Sequence, residues 1–300
     1  MSTPPPPPPP PPPRAVVLLV EGWSPGPLPY LKSMLQREIE GYCEVRYVRG
    51  FPMPPFVGWW FCDYRFLALL FGWVAALYSV SRYAHDKNRY YRWLFAMASF
   101  AATIGIARLL AALVVRSSLQ KGVDICRNEI RRHSSSNNNN NNYGVNTTVV
   151  AVGFSWGGAI LAELLMQEQQ NYDDIYDNND AINSPASVGF FLIAPTTALL
   201  AKVGFQQDAA FRLQQQQHQQ NCTNFSRSSE RGPVVHVVHA SHDRMFCPYP
   251  ERWNHLTGSF RYSMLRDVHV FVEPSSRRAL ADYMTRLVSE VSEKNAVRYY

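Results

Sequence analysis

Two periodicities alternate along this chain. Short, mostly apolar runs rich in β-branched or aromatic side chains recur: "AVVLLV" at 15–20, "CEVRYV" at 43–48, "TTVVAV" at 147–152, "SVGFFLIA" at 187–194, "PVVHVVHA" at 233–240 and "FRYSML" at 260–265. Such runs, bounded by turn residues, predict strands. Between them, apolar positions return every third or fourth residue: Leu28, Leu31, Leu35 and Ile39, then Leu119, Val123, Cys126 and Ile130, then the "GGAILAELLMQ" segment. A last helix, starting after Ser275 or Ser276, puts Leu280, Met284, Leu287 and Val291 on one stripe. Strands without polar alternation need cover on both faces, so the pattern predicts an α/β fold with a mostly parallel sheet of about six strands.

One stretch breaks the alternation. From Phe66 to Val80 and from Trp93 to Val115 the chain is apolar, with "SRYAHDKNRYYR" between. A bilayer crossing takes roughly 20 apolar residues. The second segment meets this, and the first does so only by borrowing "FVGWWF" upstream. Trp59, Trp60, Trp73, Tyr90, Tyr91 and Trp93 have the character of interfacial anchors. If strands on both sides belong to one sheet, the number of crossings must be even. Residues 56–115 are therefore expected to form an inserted membrane hairpin of two helices, the alternative being a buried cap on a soluble enzyme. Basic residues flanking the domain side, among them Arg46, Arg49, Arg116, Lys121 and Arg127, favour a cytosolic catalytic domain.

Polar low-complexity stretches at 134–142, 167–180 and 214–230 are expected to be disordered loops, because they offer too little apolar surface to offset the entropy of ordering. Residues 1–13 read as a polyproline II arm, a stiff solvated tail and a candidate ligand for a proline-binding domain. The remainder, 14–300, is expected to be one domain interrupted by the hairpin.

Charge narrows the picture. The net charge of +6 is spread without the clustering that nucleic acid needs, so no nucleic-acid partner is expected. Five scattered cysteines suggest neither a disulfide framework nor a zinc site. Asp173, Asp174, Asp177 and Asp180 lack the glycine and terminal glutamate of a calcium loop.

The chemistry gathers at Gly153-Phe154-Ser155-Trp156-Gly157-Gly158, between a predicted strand and a predicted helix. Small residues on either side of a serine let strand and helix approach closely and push the hydroxyl out at the strand end, facing a helix N-terminus. A serine needs a base, and the base an orienting carboxylate. Downstream strand ends offer Asp243 in "SHDRMFCP" and His269 in "RDVHVF". Asp267 competes as acid, and His242 and His255 compete as base. His236 and His239 fall inside a strand and read as satisfied core residues, while Cys247 reads as a small buried hydrophobe.

"GFSWGG", "HVVHASHDRMFCP" and "RDVHVF", in this order, resemble the α/β-hydrolase superfamily over most of the chain outside the tracts and the hairpin. The resemblance implies Ser155 as nucleophile, Asp243 as acid and His269 as base. It also implies an oxyanion hole from the backbone N–H groups of Trp156 and Trp23, the latter in "LLVEGWSPGP", where Glu21 stands in place of the family's frequent histidine. No metal or organic cofactor is expected. The expected activity is membrane-anchored hydrolysis of lipophilic acyl esters, lipid esters or thioesters; a peptidase or acyltransferase on the same triad, or a non-catalytic scaffold, are the alternatives.

Overall fold

Strands buried on both faces fix the architecture. The computed structural model describes residues 15–38, 43–53, 72–73, 89–135, 147–176, 188–204, 207–222, 233–247 and 249–297. The six strands are β1 (Ala15–Val20), β2 (Cys43–Tyr47), β3 (Thr148–Phe154), β4 (Val188–Ile193), β5 (Val234–Ala240) and β6 (Phe260–Leu265). They form one sheet, wholly parallel, in the order β2-β1-β3-β4-β5-β6. Every residue of β1, β3 and β5 is buried, whereas the edge strands β2 and β6 are partly open to solvent.

Helices α1 (Leu28–Glu38), α2 (Arg89–Ser135), α3 (Trp156–Tyr176), α4 (Thr197–Gly204), α5 (Ala209–Cys222) and α6 (Pro274–Val297) cover the sheet. Odd positions of β1 join Leu28, Leu31, Leu35, Leu280, Met284 and Leu287 on the face under α1 and α6. Even positions join Val115, Leu119, Val123, Ile160, Leu164 and Leu213 under α2, α3 and α5. Parallel strands of this kind place all strand-exit loops on one rim.

Three expectations change. The apolar segment predicted at 93–115 and the amphipathic helix predicted after it are one continuous helix of 47 residues, α2. "ALVVRSSLQ" holds no proline or glycine to break the helix, and the buried stripe of Val115, Leu119 and Val123 carries it across the join. The tract at 167–180 is helical as far as Tyr176, and the tract at 214–230 as far as Cys222. Gln and Glu are good helix formers, and each tract continues a helix that is already anchored by an apolar face. The last helix begins at Pro274, a residue whose fixed φ suits a first turn.

α2 is long and apolar enough between Ala98 and Ser134 to cross a bilayer. Its second half packs on the sheet, where Ala112, Val115, Leu119, Val123 and Cys126 are buried. Phe100, Ile106, Leu109, Leu110 and Leu113, by contrast, are exposed. Within the segment predicted at 66–80, only Gly72 and Trp73 are described; Trp73 lies 5.6 Å from the Phe100 ring. The rest of that segment, the polyproline arm and most of 134–142 lie outside the described residues.

Candidate active site

β3 runs out at Phe154, and the next residue turns sharply. Ser155 has φ 54°, in the left-handed region that costs a non-glycine residue about 1–2 kcal/mol. Its backbone is held there on both sides: the N–H donates to Ile193 O at 2.9 Å, and its carbonyl accepts from Ala159 N at 3.0 Å and Thr196 N at 3.3 Å. The turn is possible because the neighbouring backbones touch. A Cβ on Gly157 would overlap the carbonyl oxygen of Val20, and one on Gly153 would stand 2.5 Å from Gly157 O. The loop after β1 presses on the serine itself. A Cβ on Gly22 would lie 2.6 Å from Ser155 Cβ and 3.1 Å from its Oγ. Trp23, the next residue, brings its indole to 5.8 Å from that of fully buried Trp156.

Two more strand ends complete the arrangement. His269, in the loop after β6, sets Nε2 2.9 Å from Ser155 Oγ. Its Nδ1 faces Asp243, which is buried in the loop after β5, and the two are hydrogen-bonded. A carboxylate cannot donate, so Nδ1 carries the ring proton and Nε2 is left as the acceptor for the serine hydroxyl. Phe246 stacks on the imidazole at 4.4 Å and Phe154 approaches it at 5.2 Å, which restricts the ring to this orientation. Asp243 is fixed in turn, accepting from Phe246 N at 3.2 Å.

No protein-family model matches the chain, and no curated protein matches it. Solved structures do align with it. A hyperthermophilic esterase from the archaeon Pyrobaculum calidifontis is 12% identical, with 94% of this chain and 78% of that chain covered at a TM-score of 0.44. Dienelactone hydrolase from Anabaena variabilis ATCC 29413 is 13% identical, with 92% and 86% covered at a TM-score of 0.41. An inhibited esterase B from Lactobacillus rhamnosis is 14% identical, with 95% and 80% covered at a TM-score of 0.44.

The competing side chains are placed elsewhere or otherwise employed. Asp267 is buried, and its carboxylate accepts from the N–H groups of Val268 (2.7 Å), Val272 (3.2 Å) and Glu273 (3.0 Å). It ties together both ends of the loop that carries His269, a positioning role that the sequence reading missed. The signal was an acid two residues before the histidine and seven before the α6 start, a spacing suited to stapling a loop onto a helix N-terminus. His242 contacts Ser241 at 3.4 Å, and His255 is exposed at the end of a 3-10 turn. His236 is hydrogen-bonded to Ser263 Oγ at 2.9 Å, with its pKa lowered to about 4 by burial. His239 departs from expectation: it is buried, with its pKa lowered to about 3 by desolvation, and Nδ1 has no hydrogen-bond partner among the described residues.

Cys247 is buried beside the acid and donates to Pro195 O at 3.4 Å. Burial first, then the charge of Asp243, pushes its thiol well above the ordinary range, so it is a protonated thiol rather than a nucleophile. Ligand atoms of Asp243, Cys247 and His269 lie within 4.8 Å of one another. Asp243 and His269 are hydrogen-bonded to each other through these atoms, and the Cys247 thiol donates to Pro195 O.

Proposed function

We propose that this protein is a membrane-anchored serine hydrolase that cleaves carboxylic esters, lipid esters or thioesters through an acyl-enzyme on Ser155. The observation that supports it is the unbroken hydrogen-bonded line from Asp243 through His269 to the hydroxyl of Ser155, which is buried just inside the sheet rim. In this reading Nε2 of His269 takes the hydroxyl proton as Oγ attacks the acyl carbon, and Asp243 orients the imidazole and stabilises its charged form. The N–H groups of Trp156, at the α3 N-terminus, and of Trp23, after the strand-tight Gly22, receive the oxyanion. Collapse of the tetrahedral adduct expels the alcohol or thiol, which takes the proton back from His269. Water, deprotonated by the same nitrogen, then releases the carboxylic acid and restores Ser155.

Anchoring is supported by α2, whose apolar stretch is almost wholly outside the packed core. β2 and β3 both pair with β1, so the chain between them must return to the side from which it left, which calls for a second crossing. The 66–80 segment is assigned that crossing, and the distribution of basic residues assigns the domain to the cytosol. A fluorophosphonate labelling experiment tests the chemistry: the wild type should be labelled and Ser155→Ala not. A profile of hydrolysis against acyl chain length should rise toward long chains. Failure of a folded preparation to react with the probe would overturn the proposal in favour of a non-catalytic scaffold.

A further inference from the structure

α2 meets the sheet at one particular level. Gly122 lies against Ile160, where a Cβ would be 2.6 Å from Ile160 Cδ1. Five residues on, Arg127 Nε donates to Glu168 at 2.8 Å. Leu119 shares a small cavity with Ala159 and Thr197. Arg127 also donates to Gln167, and Gln120 accepts from the same glutamine, so α2 runs alongside α3 in the same direction, its residues facing ones about 40 positions later. Val115 is thus level with Ser155, the residue at the rim. Beyond its last packed residue, Ala112, α2 continues past the strand-exit rim, on the side of the candidate active site, and Ala98 stands about 25 Å from Val115 along the helix at 1.5 Å per residue. That length is close to the roughly 30 Å of a bilayer hydrocarbon core.

The rim carries a second, independent sign. Among the described residues, the exposed large apolar side chains outside α2 fall mostly on strand-exit loops. Met53 follows β2, Met245 (69% exposed) lies in the Asp243 loop after β5, and Val268, Val270 and Val272 lie in the His269 loop after β6. Loops from three different strands carry exposed apolar groups at the same rim beyond which the apolar part of α2 extends. A protein keeps such groups on one rim at a cost in water, and a lipid surface is the occupant continuous with the helix beside them.

We infer that the active-site rim itself is a bilayer-docking surface, with Met53, Met245, Val268, Val270 and Val272 seated among lipid headgroups and Ser155 opening toward the membrane. The inference rests on the membrane reading above and adds the direction of the site. Lipid esters then reach Ser155 from the leaflet beneath the rim rather than through bulk water.

The test uses the full chain reconstituted in phosphatidylcholine vesicles. Bimane is placed on Met245→Cys at the rim and, separately, on Glu293→Cys near the α6 C-terminus at the opposite end of the strands, each read against the identically treated unsubstituted chain. Lipid carrying a doxyl group at the 5-position of its acyl chain should quench the label at 245 roughly twofold and leave that at 293 unchanged. Equal quenching, or quenching at 293 alone, overturns the orientation. A chain that fails to float with the vesicles overturns the membrane reading and this inference with it. Hydrolysis of a soluble ester by the same preparation reports separately on the Ser155 chemistry. As a second readout, Met53→Glu with Met245→Glu should lower hydrolysis of a vesicle-embedded ester about tenfold while sparing the soluble ester; an equal fall on both overturns the docking role.

Discussion

At the scale of single residues, the candidate site is a set of constraints on one imidazole. Asp243 fixes its proton on Nδ1, two phenylalanines fix its plane, and Asp267 fixes the loop from which it hangs. These constraints separate in mutants. Asp243→Asn leaves the packing but presents the wrong partner to Nδ1, and kcat should fall about 10³–10⁴-fold with KM little changed. Asp267→Ala strands three backbone N–H groups. It should lower stability by about 1–3 kcal/mol in denaturant melts and lower kcat with the pH profile displaced, and Asp267→Asn, which keeps one acceptor oxygen, should restore part of both. The positions of Ser155, Asp243 and His269 could be read from the sequence because each sits in a loop that follows a strand of recognisable composition. The work of Asp267 could not, because its partners are backbone N–H groups that the loop brings together only when folded. The surroundings of His239 stay hidden for a related reason: a sequence shows that a histidine lies in a strand, but not whether a donor or acceptor faces it.

Among elements, the packing of α2 on α3 depends on the absence of a side chain at 122. Gly122→Leu would force the two helices apart and should cost about 1–3 kcal/mol, read as a shift of the denaturation midpoint. The strands and the mostly parallel sheet were legible because apolar runs without polar alternation leave a strong trace, from "AVVLLV" to "PVVHVVHA"; the order of the strands was not, because the runs carry no sign of which neighbour each pairs with. Helices within the polar tracts left none. Their order is imposed by tertiary contact: in α5, Leu213 is fully buried, and Gln217 accepts from Thr257 N at 3.0 Å while donating to Thr257 O at 3.2 Å. A glutamine repeat thus acts as a clip onto the loop before β6, a use that composition alone conceals.

For the whole molecule, two buried histidines give stability a direction with pH. His236 and His239 have folded pKa values of about 4 and about 3, below the usual 6.5, because burial disfavours their charged forms. Between pH 6.5 and those values the unfolded chain binds more protons, so their contribution is present above 6.5 and is lost as the pH falls. Thermal midpoints should drop on acidification through this window, and His236→Phe with His239→Phe should flatten the slope. α2 carries a different consequence. One unbroken helix joins the apolar stretch to the packed core, with no linker in which the domain could swing or reach. On the proposed membrane anchoring, an enzyme carried on such a rod serves only the sheet of lipid in which it is planted: in a mixture of enzyme-bearing and enzyme-free vesicles, ester held in the first population should be consumed and ester held in the second should persist.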